Sequence, residues 1–178
     1  MAAGNDSPLV GADYLIRRPQ LADADELAEL HVAVWRQAYA GMMSAKALAD
    51  LDVGRFAATW RRIAESVTDR ERDRNTTRIA QHLSTGALAG FATVGAARDD
   101  DAPVPRQLWA INVLAAHHGT GVADRILAET LGDEAAYLWV VEGNARAQSF
   151  YRRHRFVPDG GRLCDDDLGA DEIRMVRP

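Results

Sequence analysis

Apolar positions in this chain alternate between strand-like and helix-like spacing, and the changes of period mark its elements. Tyr14-Leu15-Ile16-Arg17 reads as an opening strand. From about Asp23 the period lengthens: Leu27, Leu30, His31, Val34, Trp35 and Ala38 share one face of a helix. Asp23 is placed to cap it, with Glu26 as the reciprocal partner, and Gly41 to end it. A second helical region runs from about Ser44 to Ser66, broken near Asp52-Val53-Gly54. Strands follow at about Thr77 to His82 and Ala87 to Ala96, joined through Ser84-Thr85-Gly86 as a hairpin. Arg98 to Pro105, rich in aspartate and proline, is a loop. After Pro158, Gly160-Gly161 and the aspartates that follow form a turn region, and Glu172 to Val176 is the last strand.

Between these ends lie the segments that carry chemistry. Leu108 to Leu114 is a short apolar run, the length of a buried strand, and Val122, Ala123, Ile126, Leu127 and Leu131 follow at helical spacing. His117-His118-Gly119-Thr120-Gly121 therefore sits where a strand hands over to a helix N-terminus. Unpaired N–H groups and the positive end of the helix dipole favour an anion there, and glycines admit a phosphate close to the backbone. Glycines at such spacing also serve as ordinary turn residues, so the loop alone decides nothing. A second apolar strand, Tyr137 to Val141, leads into Glu142-Gly143-Asn144 and a helix carrying Phe150-Tyr151, which closes before Phe156-Val157-Pro158.

The ordered pair of segments resembles the GNAT superfamily of acyl-CoA-dependent N-acetyltransferases. That family's cofactor loop reads (Arg/Gln)-x-x-Gly-x-(Gly/Ala), which His118, Gly121 and Ala123 occupy. Its next strand and helix read roughly N-x-x-A-x-x-F-Y-x-x-x-G-F, matched by Asn144, Phe150, Tyr151 and Phe156. The close match covers residues 108 to 158, and a looser agreement in element order runs from Tyr14 to the C-terminus. Two positions depart from the pattern. His118 replaces Arg or Gln, which leaves the backbone amides intact. Arg155 replaces the helix-ending Gly and is expected to pay about 1 kcal/mol for left-handed dihedrals.

The resemblance implies one α/β (α+β) domain over residues 14–178 after a flexible leader, Met1 to Asp13. Its sheet would be mixed but mostly antiparallel, with about seven strands splayed between the fourth and fifth, flanked by about four helices. Periodicity alone supports only a mixed α/β domain. The resemblance further implies that acetyl-CoA, as co-substrate, lies in the splay, with backbone groups of Val113 and Leu114 on the pantetheine arm. His118, Gly119, Thr120, Gly121, Val122 and Ala123 would hold the pyrophosphate without a metal, and Asn144, Phe150 and Tyr151 would complete the cofactor site. Tyr151 is the expected general acid toward the CoA thiolate, with a core aromatic as its bland alternative; Asn144 can equally be a helix cap. For the base, Glu142 stands at a strand end and His117 in the loop, with Asp13, His31 and an ordered water chain also open. His31, on an apolar helix face, is the residue most readily read as core. Trp35, Tyr39, Met42 and Met43 are candidate walls of the acceptor pocket, Trp35 also being a core candidate.

Composition narrows the rest. At 178 residues and 47% hydrophobic, the chain fits one core. A net charge of −5 argues against general nucleic-acid binding, although Arg146, Arg152, Arg153 and Arg155 crowd one helix, either to meet the CoA 3′-phosphate or as a solvated face. The alternating charges of Asp69 to Arg74 read as a solvated helix end or loop. Lys46 is the one lysine, so no Lys-Ser or Lys-Thr follows the glycines and a nucleotide-hydrolysing P-loop is excluded. The lone Cys164, among aspartates, suits a reducing cytoplasm and is a poor nucleophile. No apolar run approaches the roughly 20 residues that cross a membrane. The expectation is a cytoplasmic N-acetyltransferase acting on a small-molecule primary amine by direct attack in a ternary complex, as monomer or homodimer. A peptide or protein N-acetyltransferase and a non-catalytic CoA-sensing module are the alternatives.

Overall fold

A computed structural model describes residues 13–65, 75–165 and 169–178. The expected leader before Asp13, the charged run Asp69 to Arg74, and Asp166 and Asp167 lie outside the described residues. The elements in chain order are β1 (Tyr14–Arg17), α1 (Ala24–Ala38), α2 (Ala45–Ala49), α3 (Val53–Glu65), β2 (Thr76–His82), β3 (Leu88–Ala96) and β4 (Arg106–Val113). After them come α4 (Val122–Thr130), β5 (Ala136–Val141), α5 (Ala145–Arg153), β6 (Val157–Asp165) and β7 (Ala170–Arg177). Short 3-10 turns precede α1 at Leu21–Asp23 and α4 at Ala115–His117.

The seven strands form one sheet in the order β1-β2-β3-β4-β5-β7-β6. Every neighbouring pair is antiparallel except β4 and β5, which run parallel and are joined through one residue pair, Gln107 with Tyr137. The Tyr137 hydroxyl donates to Gln107 Oε1 at 3.0 Å and fixes that apex. Beyond it the two strands diverge toward their C-terminal ends, which is the expected splay.

Side-chain alternation sorts the strands onto two cores. Beneath α4 and α5, Ile126, Leu127, Leu138, Val140, Phe156 and Met175 pack together. On the other face Leu27, Leu30, Val34, Trp60, Ile79 and Phe91 join α1 and α3 to β2 and β3. Since Leu138 and Val140 face the first core, Tyr137, Trp139 and Val141 point to the α1 side. Their register partners Val176, Arg174 and Glu172 point with them.

The expected break in the second helical region divides it into α2 and α3, Ser44 capping α2 through Ala47 N, for five α-helices among the described residues. Two expectations need correction. Asp23 makes no side-chain cap to α1: it binds the Arg17 guanidinium at 2.7 and 2.8 Å and takes the Gln20 N–H at 2.6 Å, while Glu26 crosses to accept the Leu88 N–H at 2.7 Å. A charged bidentate partner outcompetes a local cap. Gly160 and Gly161 lie inside β6, at a register shift against β7, instead of in a turn. A Cβ on Gly161 would lie 2.8 Å from the Arg174 guanidinium, so the glycine admits that side chain across the strand to Asp159 and Asp101.

Candidate active site

The splay is bordered by two successive strand-loop-helix units. In the first, β4 leads into the glycine loop. The Leu114 N–H bonds Ala89 C=O at 2.9 Å, one step beyond the register pair Val113 with Gly90. In an antiparallel ladder this leaves the N–H and C=O of Val113 pointing away from β3 and into the splay, while Leu114 is tied to β3. Leu114 C=O accepts the His117 N–H at 2.9 Å, so of the two expected backbone contacts Val113 is the one aimed at the cleft. Gly119 and Gly121 adopt φ of +78° and +79°, and a Cβ on either would meet nothing within 4 Å. Gly121 is the N-cap of α4, without a side-chain cap. The cradle is thus open on the side where a phosphate would approach.

The second unit is closed internally. Asn144 caps α5, its side chain accepting from Ala147 N at 3.0 Å, and Gln148 donates to Glu142 C=O at 2.7 Å. The far end of α5 turns on Arg155, the one non-glycine at positive φ (+68°) among the described residues. Phe156 N–H reaches Tyr151 C=O and Arg155 N–H reaches Arg152 C=O, both at 3.0 Å, which is a Schellman closure with arginine in the left-handed position. The Phe156 ring, fully buried, packs against Tyr151 at a centroid distance of 5.9 Å. That contact is the hydrophobic bracket of the motif, and it sets the height at which Tyr151 enters the splay.

A cleft of about 420 Å³ occupies the splay. Ile111, Val113, Trp139 and Val140 form its strand walls, Gly119, Gly121 and Ala123 its phosphate end, and Asn144, Phe150 and Tyr151 its α5 side. A neighbouring cleft of about 380 Å³ is lined by Gln37, Met42, Ala115 and Gly143. His118 and Arg146 border both. His118 Nε2 donates to Val113 C=O at 3.0 Å, and Arg146 Nη1 lies against both ring nitrogens from outside. Partial burial lowers the ring's pKa, the Val113 carbonyl opposes that, and Arg146 adds to it.

The other expected residues separate clearly. Tyr39 lines the larger cleft opposite Tyr151, and Met42 the smaller one. Trp35 lines neither, leaning instead on His31, Tyr39 and Phe56, and Met43 is buried. Glu142 is also absent from both linings: Arg162 holds its exposed carboxylate at 2.7 and 3.0 Å and keeps its pKa down. His117 receives the Tyr14 hydroxyl at Nδ1 (2.8 Å), with its pKa lowered by burial and then by His82 and His118. His31 stacks on Phe56 and Phe91; burial lowers its pKa to about 4, and its Nδ1 has no hydrogen-bond partner, which leaves it a core residue away from the cleft. Burial, then the nearby Tyr39 and Glu172, push the Tyr151 phenol well above its ordinary value. Tyr39 is raised by burial and by Glu172 as well. The charge of Glu172, on β7, reaches both phenols.

The Acetyltransferase (GNAT) family model matches residues 45–156, and the chain belongs to that family. It is an acyltransferase of GNAT type. An uncharacterized N-acetyltransferase, YuaI of Bacillus subtilis (strain 168), is 25% identical over 166 residues, covering 90% of this chain and 87% of that protein. Among solved structures, PaiA N-acetyltransferase from Thermoplasma acidophilum in complex with coenzyme A superposes with a TM-score of 0.67 at 17% identity, over 90% of this chain and 97% of that one. A histone acetyltransferase HPA2 and related acetyltransferase from Corynebacterium glutamicum gives 0.65 at 21% identity, over 93% and 96%. At these identities the structural likeness speaks to the fold.

Proposed function

We propose that this protein moves an acetyl group from acetyl-CoA to the primary amine of a small acceptor by direct attack within a ternary complex. The observation that carries the reading is the splay itself: one cleft joins the open N-terminus of α4, the inward-facing backbone of Val113 and the buried Tyr151. The coenzyme A complex of the Thermoplasma relative supports the same co-substrate. The amides of Gly119 to Ala123 take the pyrophosphate, whose charge the helix dipole favours. The N–H and C=O of Val113 take the pantetheine arm, which requires His118 to give up its bond to that carbonyl.

Tyr151 acts on the sulfur. Its raised pKa keeps the hydroxyl protonated at every working pH, so a donor is always present for the developing thiolate. Full transfer from so weak an acid needs a thiolate made more basic by the same dry surroundings. Its share is therefore mostly hydrogen-bond stabilisation of the leaving group, completed by proton transfer as the C–S bond breaks.

A small acceptor is favoured over a peptide by the α1–α2 loop. Met42 stands 3.6 Å from where a Cβ on Gly143 would lie, and Ser44 3.4 Å from one on Gly169, so the loop closes over the end of β5 where a peptide would have to leave. The test is a thermal shift with acetyl-CoA followed by thiol release with free amines and with peptides. Stabilisation by acetyl-CoA and turnover of free amines are expected; no shift at millimolar acetyl-CoA would sink the assignment.

A further inference from the structure

Resting on the acetyl-transfer reading above, we propose that the acceptor is an α-amino acid with an apolar side chain, bound in the smaller cleft with its carboxylate on Arg146 and Gln37. Two clefts meet at Val113, and only the larger one carries the glycines of the phosphate end. The smaller lies between the end of α1 and the start of α5, bounded by Gln37, Met42, Ala115 and Gly143. Val34, Ala38, Val113 and Asn144 line both clefts, so a molecule in the smaller one reaches the backbone that the pantetheine arm takes. Direct attack needs two pockets that join at the thioester, and this pair supplies them. At about 380 Å³ the smaller cleft stands at the low end of ligand pockets, roughly 300–1,000 Å³, which suits a single amino acid.

The polar groups of that cleft point to a carboxylate. Arg146 brings it its one permanent charge, and among the described residues no carboxylate lines it. Arg146 makes no ion pair among those residues: its Nη1 lies against the ring nitrogens of His118, and the carboxylate nearest in sequence, Glu142, is held by Arg162 at 2.7 and 3.0 Å. Gln37 Oε1 accepts the Ala115 N–H at 3.2 Å, which fixes the amide and leaves its NH2 without a partner among the described residues. One guanidinium and one amide match a single negative charge on two planar oxygens. A guanidinium binds a carboxylate more strongly than an imidazole, so the acceptor displaces His118 from Arg146. The same ring must leave Val113 C=O when pantetheine arrives, so the cofactor loosens the contact that the acceptor replaces. Val34, Ala38 and Met42 make the remaining wall apolar and suit an aliphatic side chain.

With its carboxylate held, the amino acid reacts through its free amine. The nitrogen lone pair forms the C–N bond, the C–S bond breaks and its electron pair leaves on sulfur. Tyr151 gives sulfur a proton and recovers the one that nitrogen sheds. The products are the N-acetyl amino acid and free CoA thiol.

The test measures thiol release by the full chain at saturating acetyl-CoA with L-leucine, L-leucinol and L-leucinamide. The last two keep the skeleton, lack the negative charge and carry amines no more basic than that of leucine, so basicity does not favour leucine. Wild type should prefer leucine by about tenfold or more in kcat/KM. Arg146→Met should raise the KM for leucine about thirtyfold, with kcat and the constants for leucinol within about threefold and acetyl-CoA affinity by calorimetry unchanged. Arg146→Lys, which keeps the charge and loses the fork, should recover part of the difference. Gln37→Glu keeps an acceptor for the Ala115 N–H and sets a negative charge against the carboxylate; it should turn the preference toward leucinamide, whatever the stability of the Arg146 variants. Equal losses for leucine and leucinol overturn the proposal, and so does a matching fall in acetyl-CoA affinity, which would make Arg146 a cofactor contact. Wild type that binds acetyl-CoA but uses leucine no better than leucinol, or uses neither, also overturns it and leaves the cofactor reading in place. Failure to bind acetyl-CoA removes the reading beneath it.

Discussion

The molecule builds the same unit twice in succession, a strand, a short loop and a nine-residue helix, and it finishes the two helix starts in opposite ways. α5 begins on Asn144, whose side chain takes the Ala147 N–H and closes the helix start from within. α4 begins on Gly121, which has no side chain to cap it, and of the first-turn amides Val122 N–H makes only a long bond, 3.4 Å, to Thr120 Oγ1. A side-chain cap stabilises a helix by about 1 kcal/mol, so the bare end forgoes stability that its neighbour keeps. The difference teaches that an anion site is recognised less by its glycines than by what the chain declines to put there.

Placing a β-branched side chain in the bare loop should break the contrast most severely. Gly121→Val forces valine to φ near +79°, where it is strained by about 2–3 kcal/mol, and the loop must move. Acetyl-CoA affinity should fall by about 30- to 100-fold by calorimetry; a variant that binds as wild type would mean the cradle lies elsewhere. Next in size is Tyr151→Phe on the second unit. It should lower kcat by about tenfold or more while acetyl-CoA affinity, measured the same way, stays within about threefold. A full-rate variant would leave Tyr151 as a core aromatic. The cap itself is separated by a pair: Asn144→Ala should cost about 1 kcal/mol of stability, whereas Asn144→Ser keeps a capping oxygen, removes the amide and adds no charge. Cofactor affinity lost in the Ser variant at unchanged Tm would identify a pantetheine contact beyond the cap.

What could be read in the chain beforehand follows the same division between local and distant causes. The glycine loop, the β5–α5 junction and the unusual Arg155 were legible because each depends on neighbours a few residues away: a strand end, a helix start, a Schellman turn. The splay and strand count came with the family resemblance; periodicity stops at a mixed α/β domain. Asp23 reads as a helix cap because nothing nearby reveals that Arg17 claims its carboxylate, and Glu26 as its partner because nothing nearby reveals that Leu88, sixty-two positions on, offers it an N–H. Gly160-Gly161 looks like a turn until β7 is beside it. Glu142 drew attention by standing at a strand end, yet Arg162, twenty positions on, holds it away from the cleft.

The smallest effect concerns the end of the second unit. Arg155 holds a left-handed conformation that a glycine adopts without strain, and its guanidinium is returned only an exposed ion pair to Asp133. Such a pair contributes little. Relief of the left-handed strain should stabilise Arg155→Gly by about 1–2 kcal/mol, less the backbone entropy that glycine gives up on folding, for a net gain of about 0.5–1 kcal/mol. In a chain of this length that raises Tm by roughly 2 °C in calorimetry. Arg155→Ala separates the two causes, since it removes the ion pair and keeps the strain: it should gain nothing. If alanine stabilises as much as glycine, the backbone is not under load there, and Phe156 rather than the turn holds Tyr151 at its height in the splay.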